Sequence, residues 1–181
     1  FLRAGPAYGG SCFPKDTKAL TATGDLYKTN LSIIKSVILS NTKRKILLIE
    51  RIKKILLNKI KNKKIAILGV TFKPNTDDMR QSSSLIMIPY LHKKGAIVNY
   101  YDPTGRKEEF DKLKKVSFCN DTKEACKNAD LIIIHTEWDE FKTIDFKKIS
   151  KYKKFKIYDM RNLYNTKKMR KLGFSYYSIG R

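Results

Sequence analysis

A chain of 181 residues is long enough to bury one ordinary core with a helical appendage beside it. It carries Lys+Arg 39 against Asp+Glu 17, a formal charge of +22, but 31 of those cations are Lys and only 8 are Arg, spread along the whole chain. That is the wrong balance for bidentate readout of bases or phosphates. It fits a bias of composition on solvated faces, so no nucleic acid partner is expected. No run approaches the roughly 18 uninterrupted apolar residues of a membrane span, since Leu31 to Ile60 is broken throughout by Lys and Arg. The first residues, "FLRAG", have neither the charged region nor the apolar run of a signal peptide. The cysteines, Cys12, Cys119 and Cys126, are odd in number and fit no metal spacing. No metal site, no disulfide framework and a reducing, cytoplasmic setting are therefore expected.

In chain order, residues 1–13 read as a glycine-rich loop, and Pro14 with Asp16 and Thr17 opens a short helix that Gly24 stops. Leu31, Ile34, Val37 and Ile38, then Leu48, Ile49, Ile52, Ile55 and Ile60, recur at three and four residues and predict one long amphipathic helix over 31–60. Its stripe, Ile52 and Ile55 included, is expected to pack between subunits of a homo-oligomer. From Lys64 the period changes. "KIAILGV" reads as a buried strand, followed by a polar turn, "TFKPNTDDMRQ", and a helix from Ser82 to Lys94 closed by Gly95. "AIVNYYDP" is the next strand, "DTKEACKNAD" a helix with Asp121 as N-cap, and "LIIIHT" a buried strand. "KFKIYD", from Lys154, is another strand, "NTKKMRKLG" a helix ending at Gly173, and "FSYYSI" the last strand.

Strands alternating with helices predict an α/β fold, a long connecting helix followed by a Rossmann-like, doubly wound parallel sheet. The expected division is 1–62 for the loop and helices and 63–181 for the nucleotide-binding sheet. Ligands in such sheets lie outside the carboxyl ends of the strands. That end gathers Thr71, Phe72 and Lys73, then Asp102, then His135 and Thr136, then Asp159 and Arg161. A dinucleotide site would need G-x-G-x-x-G after "IAIL", and only Gly69 is there, so a different nucleotide is expected. His92 and His135 have no partner carboxylate or second ligand nearby in the sequence and read as structural.

Within "AGPAYGGSCFPKDTKAL" the thiol of Cys12 has Gly9, Gly10 and Ser11 before it and Pro14, Lys15 and Asp16 after it. A buried structural cysteine would have apolar neighbours; these describe an exposed thiol flanked by a cation at a helix start, the setting that favours a thiolate.

That segment, with "AILGVTFKPNTDDMRQSSSL", "TEWDEF" and "YDMRNLYNTKKMRKLGFSYYSIGR", resembles the nucleotide-sugar dehydrogenases of the UDP-glucose/GDP-mannose dehydrogenase family. The resemblance covers nearly the whole chain but only the second half of a family member, the NAD-binding Rossmann half being absent. It implies oxidation of the C6 alcohol of UDP-glucose to a carboxylate in two hydride transfers to NAD, with Cys12 as nucleophile. Dehydrogenases of GDP-mannose or UDP-N-acetyl sugars, or a truncated chain that binds UDP-sugar without turnover, are the alternatives.

The resemblance also implies residue roles. Arg3, Ala4, Gly5, Pro6, Ala7, Tyr8 and Gly9 form the loop lining the sugar nucleotide. Phe72, Lys73 and Arg161 touch substrate, Lys73 as a cation. Asp16 helps position the hydrolytic water, Cys12 and Lys15 lie beside the cofactor, and Arg80 reaches the NAD. Ala7 and Met160 stand where the family commonly has Gly. The family's proton-handling glutamate, lysine and asparagine belong to the half not present.

Overall fold

The computed structural model describes residues 4–150 and 155–180. Arg3 and the expected strand start at Lys154 lie outside them. The chain opens with a loop leading into helix α1 (Cys12–Leu26), which turns back into α2 (Ser32–Ile55). Six strands follow, β1 (Lys64–Leu68), β2 (Ile97–Tyr101), β3 (Val116–Phe118), β4 (Leu131–Ile134), β5 (Lys156–Asp159) and β6 (Ser175–Ser178). Helices α3 (Ser84–Lys93), α4 (Thr122–Cys126), α5 (Phe146–Ser150) and α6 (Thr166–Lys171) lie between them. All described pairings are parallel, in the order β3-β2-β1-β4-β5-β6, the doubly wound arrangement with its reversal between β1 and β4.

A strand covered on both faces must be apolar at every position, and β4, "LIII", is buried throughout. Alternation decides which side each residue serves. Ile65 and Ile67 of β1 join Ile133, Leu91 and Ile52 on the face covered by α2 and α3, while Ala66 and Leu68 join Ile132, Ile157 and Met169 on the face covered by α4 and α6. Asp121 caps α4 through a bond from Glu124 N at 2.7 Å, and Asn165 caps α6 through one from Lys168 N at 3.0 Å.

Three expectations need correction. Gly24 does not stop α1, which runs on to Leu26. Instead Gly24 is buried inside the helix, where a Cβ would come within 2.5 Å of Leu31 Cδ1, so the glycine allows the two helices to turn tightly on each other. The long helix ends at Ile55 rather than near 60, because Leu57 and Asn58 adopt left-handed backbone (φ 53 and 60) and swing the chain into β1, with Lys156 Nζ bonding the Ile55 carbonyl. Ile52 and Ile55 pack into the chain's own sheet and are not an intersubunit surface. The exposed apolar residues lie elsewhere on the hairpin, among them Leu26, Tyr27, Ile33, Leu39 and Leu47. Edge strand β3, helix α5 and the short turns Glu108–Phe110 and Asp139–Thr143 went unpredicted, each being five residues or fewer with no periodicity to read.

The revised role of Gly24 is testable. Alanine would gain about 1 kcal/mol of helix propensity but collide with Leu31, and overpacking of this kind costs about 1–3 kcal/mol. Gly24→Ala should lower the urea midpoint, and adding Leu31→Ala should recover part of the loss. A stabilised single mutant would mean that the helices do not pack this closely.

Candidate active site at the carboxyl ends of the strands

At the end of β1 the chain turns through Gly69 in left-handed backbone (φ 74), where a Cβ would lie 2.4 Å from Thr136 Cβ. The amides that follow are already taken. Buried Asp102, at the end of β2, accepts from Val70 N at 2.8 Å and Thr71 N at 3.4 Å through one oxygen, and from Thr104 N at 3.0 Å and Thr104 Oγ1 at 2.5 Å through the other. In a dinucleotide fold the amides of this turn face a pyrophosphate and the acidic residue holds a ribose. Here the carboxylate caps the amides, so neither partner is left for a dinucleotide.

The next layer is a chain of buried hydrogen bonds. Thr136 Oγ1 donates to Thr71 O at 2.7 Å, so it accepts from His135 Nδ1 at 3.1 Å, which leaves His135 Nε2 to accept from Ser83 Oγ at 2.7 Å. Nδ1 therefore carries a proton, and while the ring is neutral Nε2 is the acceptor. Burial, with Arg161 nearby, pulls His135 down to about 3. The chain ties the start of α3 to β4 and to the loop bearing Phe72 and Lys73.

Arg161 follows β5 and fills the centre of this end. Its side chain is 11% exposed. Nε donates to His135 O at 2.9 Å, NH2 to Phe72 O at 2.9 Å and NH1 to Glu137 Oε1 at 3.3 Å. Nε also lies 2.7 Å from Glu137 Oε2, but its hydrogen points to the carbonyl, and Oε2 receives no hydrogen bond. Burial lowers Arg161 from its ordinary value, while Glu137 and Asp159 act the other way. Arg161 NH1 also lies where a Cβ on Gly5 would be, 2.8 Å away, which brings the first loop onto the strand ends.

That loop is held from two sides. From α2, Asn41 takes both backbone groups of Tyr8 (Tyr8 N to Oδ1 at 2.9 Å, Nδ2 to Tyr8 O at 3.1 Å), and Arg44 NH2 lies 3.5 Å from Gly5 O. Lys45 of α2, its pKa lowered by burial and by Lys18, donates to Gln81 O at 2.8 Å. From the β1–α3 loop, Arg80 O accepts from Gly10 N at 2.7 Å. Gly9 and Gly10 permit close approach to Gln81 O and the Phe72 ring, with added Cβ atoms meeting these at 2.9 and 2.8 Å.

Cys12 is the first residue of α1 and is exposed, its Sγ 3.7 Å from Ser11 Oγ. Lys15 and Asp16 pair with each other across 3.6 Å in solvent. Asp78 holds Arg80 above its ordinary value, with a smaller contribution from Cys12. Lys73 is exposed, its Nζ 5.4 Å from the centre of the Phe72 ring. Gly5, Gly9, Phe72 and Arg161 thus meet at the strand ends. Tyr8 leans edge-on against Phe13, Pro6 is buried, and Ala4 and Ala7 are half-buried along the loop. Glu137 and Asn41 drew no attention from the sequence; the first lay in plain view inside "TEWDEF" and the second three residues before Arg44 on one helical face. A cavity of about 810 Å³ lies on the α4–α5 flank between Cys126, Ile144 and Phe155, apart from these residues. Among the described residues no group of three His, Cys, Asp or Glu could hold a metal, and no helix is long and apolar enough to cross a membrane.

The model of the UDP-glucose/GDP-mannose dehydrogenase family, UDP binding domain, matches residues 66–166, and that of the same family's central domain matches residues 1–43. The chain belongs to this family. A UDP-glucose 6-dehydrogenase of Rhizobium meliloti (strain 1021) is 41% identical over 182 residues, covering 100% of this chain and 42% of the relative. A UDP-glucose dehydrogenase of the archaeon Pyrobaculum islandicum superposes with a TM-score of 0.77 at 28% identity over 97% of this chain and 38% of its own. An NDP-N-acetyl-D-galactosaminuronic acid dehydrogenase of Methanosarcina mazei Go1 gives 0.81 at 25% identity over 98% and 39%. The chain therefore spans about two fifths of the length of these family members.

Because His135 takes up a proton near 6.5 when unfolded but only near 3 when folded, the unfolded chain binds more protons between those values. Stability should fall as pH drops from 6.5 towards 3, by up to about 1.4 kcal/mol per pH unit from this group. The stability gap between the native chain and His135→Gln, measured in urea at pH 7 and pH 4, should narrow on acidification. A constant gap would show that the imidazole is not held neutral.

Proposed function

We propose that the chain is the cysteine-bearing and UDP-binding portion of a UDP-glucose 6-dehydrogenase, with residues 1–62 supplying the nucleophile loop and helices and residues 63–181 the nucleotide site. One observation carries this reading: the loop ending at Cys12 is docked by Gly5, Gly9 and Gly10 onto Arg161, Phe72 and Arg80 at the strand ends. A nucleotide sugar in the cleft then extends from a sheet end towards a thiol at a helix start. Lys73 supplies a cation for a phosphate or sugar oxygen, Phe72 and Arg161 line the cleft, and Tyr8 packs along the loop.

The chemistry explains the thiol. An aldehyde at C6 has no hydride to give until a nucleophile adds to it. Addition of the Cys12 sulfur with a proton on the oxygen gives a thiohemiacetal, whose oxidation leaves a thioester, and water then releases the carboxylate and restores the thiol. Asp16, one turn along α1, is placed to orient that water. NAD accepts the hydrides in this family. The capped β1 turn does not fit its pyrophosphate, so we assign NAD to the part of the family that this chain does not span, with Arg80 and Lys15 at the shared edge. The exposed apolar side chains of the α1–α2 hairpin suit a homo-oligomer.

Calorimetry on residues 1–181 should detect UDP and UDP-glucose and little NAD, and Lys73→Ala should weaken UDP about tenfold by removing a charge-assisted contact. NADH production should need the remainder of the family's length. Turnover by residues 1–181 alone, or binding of NAD in preference to UDP, would contradict the reading.

A further inference from the structure

Residues 4–11, which lead to Cys12, form neither helix nor strand, yet their backbone is gripped from α2. Asn41 accepts from Tyr8 N through Oδ1 at 2.9 Å and donates from Nδ2 to Tyr8 O at 3.1 Å, so one side chain pairs with both backbone groups of one residue, as a neighbouring strand would. An amide can do this because it carries a donor beside an acceptor, whereas an ionised carboxylate only accepts. Arg44 and Lys45 stand three and four residues further on, on the same helical face. Arg44 NH2 lies 3.5 Å from Gly5 O, and Lys45 fixes Gln81 O, the atom against which Gly9 is packed.

The grip bears on the thiol through α1. At its far end that helix meets the start of α2 where Gly24 packs on Leu31, and at its near end the ring of Tyr8 sits edge-on to Phe13, the residue after Cys12, at 4.7 Å. From Gly24 back to Cys12 the helix is a lever of about 18 Å at 1.5 Å per residue. A tilt of about 3° at the turn would carry the sulfur about 1 Å, a misplacement that costs an oriented reaction on the order of 10²-fold. From this we infer that Asn41 is a positioning residue for Cys12: by holding Tyr8 it sets where the thiol stands relative to the nucleotide sugar, and it touches neither. The inference rests on the reading of Cys12 as nucleophile given above and adds which residue fixes its reach. In that reading Lys73 and Arg161 hold the nucleotide at the strand ends, so losing Asn41 separates nucleotide binding from placement of the thiol.

Residues 1–181 carrying Asn41→Ala or Asn41→Asp test this. Calorimetry should find UDP bound by the Ala variant within about threefold of the native chain. The ratio of Cys12 labelling rates by iodoacetamide without and with saturating UDP-glucose should nevertheless fall about tenfold, the scale of two neutral hydrogen bonds. Cys119 and Cys126 should stay unlabelled. The Asp variant supplies the conservative rescue: ionised at pH 7 its carboxyl has no hydrogen for Tyr8 O, but protonated, at about pH 4 and below, it donates and accepts as the amide does. Labelled with 4,4′-dithiodipyridine, which reacts with thiols in acid, the Asp variant should regain protection on acidification, measured against the native chain at each pH, and the Ala variant should not. A native protection ratio in the Ala variant overturns the inference, as does the absence of acid rescue. A loss of UDP affinity as large as the loss of protection, or labelling of Cys119 and Cys126, also overturns it and makes Asn41 a support of the fold alone. A native chain that binds UDP-glucose while its Cys12 reacts at an unchanged rate removes the underlying reading of Cys12 instead, and the inference with it. Thermal melting reports whether the Ala variant is folded; if it is not, the acid rescue of the Asp variant decides.

Discussion

A guanidinium as deeply placed as that of Arg161 costs several kcal/mol to desolvate unless its hydrogens are met, and meeting them is what draws this end of the molecule together. The carbonyls of Phe72 and His135 and the carboxylate of Glu137 come from the ends of β1 and β4 to an arginine that follows β5, and Gly5 brings the loop from the opposite end of the chain against the same group. Each partner is itself held: Phe72 by the glycines that accept its ring, His135 by Ser83 and Thr136, and Arg161 at its own amide by Asp159 at 2.9 Å. Loss of the arginine would leave those carbonyls unpaired and a carboxylate half-buried with no counter-charge.

The same end shows how a Rossmann-like sheet can be turned away from dinucleotides. The topology supplies the crevice and the turn after β1, but one carboxylate, Asp102, closes the turn by taking the amides that a pyrophosphate would need. Thr104 and the buried Lys107, whose Nζ donates to Thr104 Oγ1 at 2.6 Å, back that carboxylate from behind. On the function proposed above, recognition falls to side chains farther out, such as Lys73 and Arg161, and to the docked glycine loop.

Much of this was legible in the sequence. The period-two and fully apolar strands, the 3.6-residue stripe of α2 and the caps at Asp121 and Asn165 are local signals, and the α/β alternation converts them into a sheet whose carboxyl ends collect Phe72, Asp102, His135 and Arg161. Contacts that join distant segments were not legible. Nothing near Gly24 announces Leu31 as its neighbour, so a stop was expected where a close helix contact occurs. Nothing in the stripe of α2 says which half meets the chain's own sheet, and Ile52 and Ile55 turned out to be core. Glu137 reads as one more surface acid until Arg161, 24 residues later, is seen against it.

The central claim is that a nucleotide sugar held at the strand ends reaches the thiol of Cys12. Burial pushes Cys119 up to about 11 and raises Cys126 as well, so iodoacetamide at mildly alkaline pH should label exposed Cys12 first. The direct measurement is that labelling rate, followed by mass spectrometry, with and without saturating UDP-glucose, UDP and NAD. Strong protection by UDP-glucose, weaker protection by UDP and none by NAD is the predicted result; a Cys12 rate indifferent to UDP-glucose would contradict the account.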